Sequence, residues 1–185
     1  MEPERSAGEA LERADREGAL SILMSAYGTG VYRFCLQLVG DPDLAEDVHQ
    51  MTFVQAFRDM GRFKGRSTLK TWLFGIARHR GLDALKSRIS HEKHFPPGHA
   101  IPERPDPSTN AEHVMLRGSM HQALSDCLDE LTPRVRATFA LRFQHAFTYP
   151  EIAEIGGELA TTLQARVARA LPVLRLCLEN RGVTV

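Results

Sequence analysis

The chain has 185 residues, 43% of them hydrophobic, which is enough for one ordinary domain or two small ones with buried cores. Charged residues interrupt every apolar stretch, which excludes a membrane-spanning helix. The acidic N-terminus lacks the basic start and apolar centre of a secretory signal, so a cytoplasmic location is expected.

Charge is distributed unevenly along the chain, although the formal net charge is zero. The chain carries 4 basic and 10 acidic side chains from Met1 to Phe57, then 9 basic and 2 acidic from Arg58 to Arg88. The remainder, Ile89 to Val185, carries 10 basic and 11 acidic side chains. The short basic block is a candidate surface for nucleic-acid phosphates, and the acidic block before it suits a basic protein surface.

The periodicity of the sequence predicts an all-α fold, because no segment alternates apolar and polar residues with a period of two. In the first part of the chain, helical spacing predicts four helices: Glu9 to Tyr27, Val31 to Val39, Leu44 to Arg58 and Thr68 to Lys86.

The third predicted helix has two different faces, and Asp41 and Pro42 signal its start. Apolar side chains at helical spacing predict a buried stripe: Leu44, Val48, Met51 and Phe57. Asp43, Asp47 and Gln50 fall together on another face. On the residues alone, Glu46 and Asp47 also fit a solvated helix start that compensates the helix dipole.

Residues 89–111 hold five of the ten prolines and show no sustained periodicity, which predicts a flexible linker. The expected organisation is therefore a first helical domain over 1–88, this linker, and a second helical domain over 112–185. Because His91, His94 and His99 lack partners at metal-ligand spacing, no metal site, cofactor or enzymatic activity is expected.

The second domain contains a predicted helix-turn-helix. An amphipathic helix from Glu112 to Leu131 and a helix from Thr132-Pro133 to Phe143 precede it. Thr148 and Glu151 have the spacing of a capping box, Gly156-Gly157 ends the short helix, and a second helix begins near Ala160. One face of that second helix is apolar and the other polar: Leu163, Val167, Ala170 and Leu174 against Thr162, Arg166 and Arg169. A helix of this kind fits the DNA major groove.

The three cysteines, Cys35, Cys127 and Cys177, lie within apolar helical patterns and show no metal-binding spacing. The sequence therefore favours buried, reduced thiols, with a metal site or a redox switch as the alternative.

Four strings resemble the two domains of ECF sigma factors, the minimal type of bacterial transcription initiation factor. They are GDPDLAEDVHQMTFVQAF, RFKGRSTLKTWLFGIARHRGLDALK, LTPRVRATFALRF and FTYPEIAEIGG. The resemblance covers most of the chain outside the linker and the termini. It implies a protein that joins core RNA polymerase and directs initiation at promoters, commonly under the control of an anti-sigma factor.

The resemblance implies roles for particular residues of the first domain. Those expected to dock on the clamp coiled coil of the largest polymerase subunit are Asp43, Glu46, Asp47, Gln50 and Val54. Those expected to bind the melted −10 promoter element are Arg62, Lys64, Arg66, Ser67, Thr68, Lys70, Arg78, His79 and Lys86. Phe63 and Trp72 resemble stacking platforms, but their spacing favours a place in the core.

In the second domain the resemblance implies a recognition helix for the double-stranded −35 element, with contacts from Thr161, Thr162, Gln164, Ala165, Arg166 and Arg169. Gln164 replaces a lysine, Ala165 a serine and Leu171 a basic residue of the family pattern, which predicts weaker −35 binding. Gly156 replaces a large aliphatic residue and is expected to loosen the motif, and Pro172 is expected to kink the helix.

Two alternatives remain open at this point. One is a stand-alone helix-turn-helix regulator, against which the acidic helix beside the basic block speaks. The other is a regulator that binds polymerase or an anti-sigma factor but has weakened −35 recognition.

Overall fold

The structure is a computed structural model that describes residues 2–94 and 113–183. Over these ranges the regular structure is helical, in the order α1 Glu2–Glu12, α2 Arg16–Val39, α3 Pro42–Asp59, α4 Leu69–His94, α5 His113–Asp129, α6 Pro133–Phe139, α7 Tyr149–Gly156 and α8 Ala160–Asn180. We refer to α1–α4 as the first half and to α5–α8 as the second half. The all-α fold predicted from the sequence is confirmed.

The first two helices differ from the prediction, which placed one helix over Glu9–Tyr27 and a second from Val31. The chain instead breaks at Ala14, which has a φ of 59°, and the Asp15 carboxylate accepts a hydrogen bond from the Gly18 N–H at 2.8 Å. From there α2 runs to Val39 through Gly28 and Gly30. Packing against the neighbouring helices overrides the low helix propensity of glycine.

The first half packs α2, α3 and α4 around a common core, with α1 laid across α2. Fully or almost fully buried side chains fill this core: Val31, Phe34, Leu38, Val48, Leu73 and Phe74. The last helix, α4, continues to His94, beyond both the predicted helix end at Lys86 and the predicted start of the linker. His99 lies outside the described residues.

The second half contains the predicted helix-turn-helix, formed by α7 and α8. Thr148 and Glu151 make both hydrogen bonds of a capping box, and Gly157, with a φ of 64°, ends α7. The apolar face of α8 is buried as predicted: Leu163, Val167, Ala170 and Leu174. Before the motif, the predicted helix to Phe143 is replaced by α6 and a π-helical turn over Ala140–Gln144. The helix α8 continues through Pro172 to Asn180.

The two halves pack directly against each other and share one core. Phe147, Ile152 and Ile155 of the second half join Phe34 and Phe74 of the first half in the same buried cluster. The helices α7 and α4 approach each other at Gly75, where an added Cβ would be in ordinary contact with the Ile155 carbonyl oxygen, 3.8 Å away.

His145 lies in this shared core, with its ring centroid 4.9 Å from that of Phe74 and 6.0 Å from that of Phe34. Its Nε2 atom is buried and makes no hydrogen bond in the described structure. Burial first, and then the positive charges of Lys70 and Arg33, lower the pKa of His145 from 6.5 to about 4. The ring is therefore neutral near pH 7.

The cysteines depart from the prediction. Cys127 of α5 and Cys177 of α8 form a disulfide with their Cα atoms 5.9 Å apart, so the expectation of reduced thiols is wrong for this pair. Cys35 is a buried free thiol, and burial raises its pKa to about 12. A separation of 50 residues shows no recognisable spacing in sequence, and the pair meets because α5 and α8 pack together.

Reducing the disulfide should destabilise the second half. Closing a loop of this size restricts the unfolded chain, and its loss typically costs about 2–4 kcal/mol. Urea unfolding followed by circular dichroism, with and without reductant, measures the effect. The double variant Cys127→Ser/Cys177→Ser is the control, because its urea midpoint should be the same with and without reductant. Equal midpoints for the wild-type protein under both conditions would contradict the prediction.

Acid should weaken the shared core through His145. The unfolded chain binds a proton at this histidine below about pH 6.5, whereas the folded chain resists protonation down to about pH 4. Stability should therefore fall as pH falls through this window. His145→Phe keeps an aromatic ring without the titration, so its stability should fall less over the same range. Parallel pH profiles for the two proteins would rule out this role.

Candidate nucleic-acid interface

The outward face of α3 combines acidic, amide and apolar side chains. All five residues predicted to dock on polymerase are exposed there: Asp43, Glu46, Asp47, Gln50 and Val54. Met51 and Phe57, expected in the buried stripe, are instead 45% and 37% exposed on this same face. The core contacts of α3 come from Ala45, Val48, Thr52, Phe53 and Ala56. We call the seven exposed residues the docking surface.

A 3-10 turn over Met60–Arg62 follows α3, and residues 62–68, which lead from this turn to α4, form a short basic loop. Arg62, Lys64, Arg66 and Thr68 are exposed and Ser67 is half-buried. Gly65 has a φ of 65°, a conformation that glycine adopts without steric cost. The loop therefore presents cations and hydroxyl groups to solvent.

The N-terminal helix fixes the end of this basic loop. The Glu4 carboxylate accepts hydrogen bonds from the backbone N–H groups of Leu69 and Lys70 at 2.9 and 2.8 Å. Tyr27 donates its hydroxyl to the same carboxylate at 3.0 Å, and burial followed by the Glu4 charge raises the pKa of Tyr27 to about 12. Sequence reasoning missed Glu4, because no local pattern links it to a helix that begins 65 residues later.

Thr68 also caps α4, because its Oγ1 accepts a hydrogen bond from the Thr71 N–H at 3.0 Å. Beside the loop, Phe63 and Trp72 stack with ring centroids 5.3 Å apart and are half-buried against the core.

The predicted −10 contacts on α4 divide into two groups. His79 and Lys86 are exposed and lie within 3.0 and 3.6 Å of Asp83. Lys70 and Arg78 instead face the second half of the protein. The Lys70 ammonium donates to the His145 carbonyl oxygen at 3.1 Å and lies 4.3 Å from the centre of the Phe147 ring.

Arg78 takes part in a three-residue charge cluster between the halves. Its guanidinium lies 2.8 Å from the Glu158 carboxylate, which also accepts hydrogen bonds from Arg166. Arg166 additionally contacts the Thr138 hydroxyl at 3.4 Å. Hydrogen bonding from Arg166 holds the pKa of Glu158 below its usual range, and burial lowers the pKa of Arg78.

The predicted recognition helix presents most of its candidate contacts to solvent: Thr161, Thr162, Gln164, Ala165 and Arg169. Arg166 is the exception, with its side chain only 17% exposed. Gly156, expected to loosen the motif, lies beside a residue of the other half: an added Cβ there would be 3.4 Å from the Arg78 guanidinium.

Within residues 2–94 and 113–183, no three histidine, cysteine or carboxylate side chains come together as a metal site. No helix in those ranges is long and apolar enough to cross a membrane.

Each half of the protein matches a known family model. The family model for Sigma-70 region 2 matches residues 23–89, and the model for Sigma-70 region 4 matches residues 121–171. The fold is similar to that of the sigma factor RpoE of Bartonella quintana in its co-crystal structure with the anti-sigma factor NepR. That match has a TM-score of 0.70 and 25% identity, and it covers 84% of this chain and 94% of the other.

Curated relatives match over nearly the full length. The ECF RNA polymerase sigma factor SigC of Mycobacterium tuberculosis is 30% identical over 183 residues, covering 95% of this chain and 92% of the relative. The RNA polymerase sigma-H factor of Pseudomonas aeruginosa is 25% identical, covering 97% and 95%. The protein therefore belongs to the ECF family of RNA polymerase sigma factors.

Proposed function

We propose that this chain joins core RNA polymerase in the cytoplasm and directs it to promoters, binding −10 DNA with its first half and −35 DNA with its second. The chemistry of RNA synthesis then stays in the polymerase, and the chain is not itself an enzyme. One observation carries the proposal: α3 presents an acidic and apolar face while the adjoining basic loop presents cations and hydroxyls. A single helical unit thus offers one surface for a protein and another for DNA.

The docking surface is assigned to polymerase. Exposed apolar side chains beside carboxylates form the mixture found at protein interfaces, where apolar contact supplies affinity and charge supplies orientation. Met51 and Phe57 extend the predicted set, because they supply the large apolar contacts that the acidic residues lack.

The basic loop is assigned to the melted −10 element. A single strand is held by cations along its backbone and by groups that receive unstacked bases. Ser67 lines a small cleft together with Thr71, Trp72 and His79, which supplies polar groups and a ring edge beside the loop cations. Glu4 supports this arrangement by fixing the start of α4.

The exposed face of α8 is assigned to the −35 element. Thr161, Thr162 and Gln164 lie in its first turns, where side chains of a recognition helix reach base edges. Arg169 is the exposed basic residue of the predicted set, since Arg166 is bound to Glu158. This favours weak −35 binding by the free chain and keeps a regulator with reduced −35 recognition as the second candidate.

A groove between the halves is assigned to an anti-sigma factor. It encloses about 1780 Å³ and is lined by apolar side chains of both halves, among them Leu36, Phe139 and Leu171. The relative from Bartonella quintana was crystallised with an anti-sigma factor. Asp43 lines the groove and belongs to the docking surface, so an occupant would also cover part of the polymerase contact.

Reversing the charge at the centre of the docking surface should weaken polymerase binding. We expect Asp47→Arg to reduce the affinity for core polymerase about tenfold or more, through loss of a favourable contact and gain of a repulsive one. Because Asp47 is exposed, folding should be preserved. Fluorescence titration of labelled protein with core measures the affinity. Glu12→Arg, the same change on α1, is the control. If both variants bind core like the wild-type protein, the assignment of α3 is wrong.

Removing the Ser67 hydroxyl should change −10 preference more than polymerase binding. Ser67→Ala removes a hydroxyl without removing a helix cap. Thr68→Ala would also remove the cap of α4, at a cost of about 1 kcal/mol. Sequencing the transcripts that reconstituted holoenzyme starts from a library of randomised −10 elements gives the preference. Ser21→Ala, an exposed serine of α2, serves as the matched control. An identical preference for Ser67→Ala and Ser21→Ala would refute the role of the loop.

A further inference from the structure

The charge cluster at Glu158 joins the two parts of the chain to which DNA binding is assigned. Its carboxylate lies 2.8 Å from Arg78 of α4 and is also hydrogen-bonded by Arg166 of α8. The three side chains are only 13%, 19% and 17% exposed for Arg78, Glu158 and Arg166. Because of this partial burial, solvent screens the attraction between these charges less than it screens an exposed ion pair.

The local sequence builds the cluster. Gly157 ends α7 in the left-handed conformation, which turns the chain and leaves Glu158 between the two helices of the motif. Gly156 has no side chain, so the Arg78 guanidinium can approach to where an added Cβ would be 3.4 Å away. An added Cβ would only touch the guanidinium, so a side chain larger than alanine is needed to displace Arg78.

A carboxylate in this position resembles a DNA phosphate. Both are anions with several acceptor oxygens, and arginine binds both through paired N–H groups. Arg78 and Arg166 are assigned to −10 and −35 DNA respectively. While they bind Glu158, neither guanidinium is available to a phosphate or a base.

Further contacts favour the same closed arrangement. Lys70, the other −10 candidate on this face, is held by the His145 carbonyl and the Phe147 ring. Glu154 of α7 lines the cleft that also contains Ser67 and His79, which places a negative charge beside the surface assigned to the melted strand.

We propose that Glu158 acts as an internal substitute for phosphate, keeping the two DNA-binding surfaces closed against each other in the free chain. The proposal rests on the function proposed above and adds its regulation. Promoter DNA and Glu158 compete for the same arginines. Opening on polymerase separates Arg78 of the first half from Glu158 and makes Arg78 available for DNA, while Arg166, which lies in the same half as Glu158, keeps its contact. The free protein therefore avoids binding DNA without polymerase.

The test is DNA binding by the full-length protein in the absence of polymerase. Glu158→Gln keeps the shape of the side chain and removes its charge. We expect it to bind a promoter fragment about tenfold more tightly than the wild-type protein in fluorescence anisotropy. Freeing two cations should also steepen the dependence of log affinity on log salt concentration by roughly 2. Glu179→Gln, an exposed glutamate of α8 paired with Arg175, is the matched control and should change neither quantity.

A second variant tests the geometry without changing charge. Gly156→Val places methyl groups against the Arg78 guanidinium and should tighten DNA binding in the same direction, with helical content checked by circular dichroism. If Glu158→Gln and Gly156→Val both match Glu179→Gln in affinity and salt dependence, the proposed substitution for phosphate is wrong.

Transcription by reconstituted holoenzyme separates this proposal from the proposed function. Wild-type and Glu158→Gln holoenzymes should initiate at the same positions, because Glu158 acts before the open arrangement forms. Failure of both holoenzymes to initiate at defined promoters would overturn the proposed function. The affinity of the free chain for the promoter fragment would still show whether Glu158 holds the two halves together.

Discussion

The contact between α7 and α4 is the constraint on which the rest of the structure depends. It joins two helical units into one core through Phe74, Phe147 and Ile155, and it orients the polar cluster of Arg78, Glu158 and Arg166. Hydrophobic packing supplies most of the stabilisation in such an interface, while the buried charges fix which surfaces meet. As a result, the protein presents its docking surface and basic loop to solvent but holds Lys70, Arg78 and Arg166 inside.

Local signals in the sequence predicted the elements well where physical chemistry acts over a few residues. The Thr148–Glu151 capping box, the Asp41–Pro42 helix start and the buried face of α8 all follow from interactions within one or two turns. The break at Ala14 was missed, although Asp15 supplies a helix cap of the same kind. The predicted boundary between Tyr27 and Val31 is also absent, because α2 continues through that segment to Val39.

Contacts between distant parts of the chain could not be predicted in this way. The disulfide between Cys127 and Cys177, the cap that Glu4 provides for α4, and the placement of Met51 and Phe57 on the outer face of α3 each depend on how helices are arranged in space. The residues of the candidate interface were likewise predicted only in part. Periodicity identified the exposed candidates on α3 and α8, but it could not show that Arg78 and Arg166 share one carboxylate.

Both proposals require a free chain that is closed and that opens on polymerase. Spin labels at Met24 of α2 and Val173 of α8, introduced as noncanonical amino acids so that the native cysteines stay unchanged, report the distance between the halves by pulsed electron paramagnetic resonance. Both positions are exposed, at 46% and 56%. We expect one narrow distance distribution for the free protein and a longer distance with core polymerase and promoter DNA. A distribution that is the same in both states would contradict it.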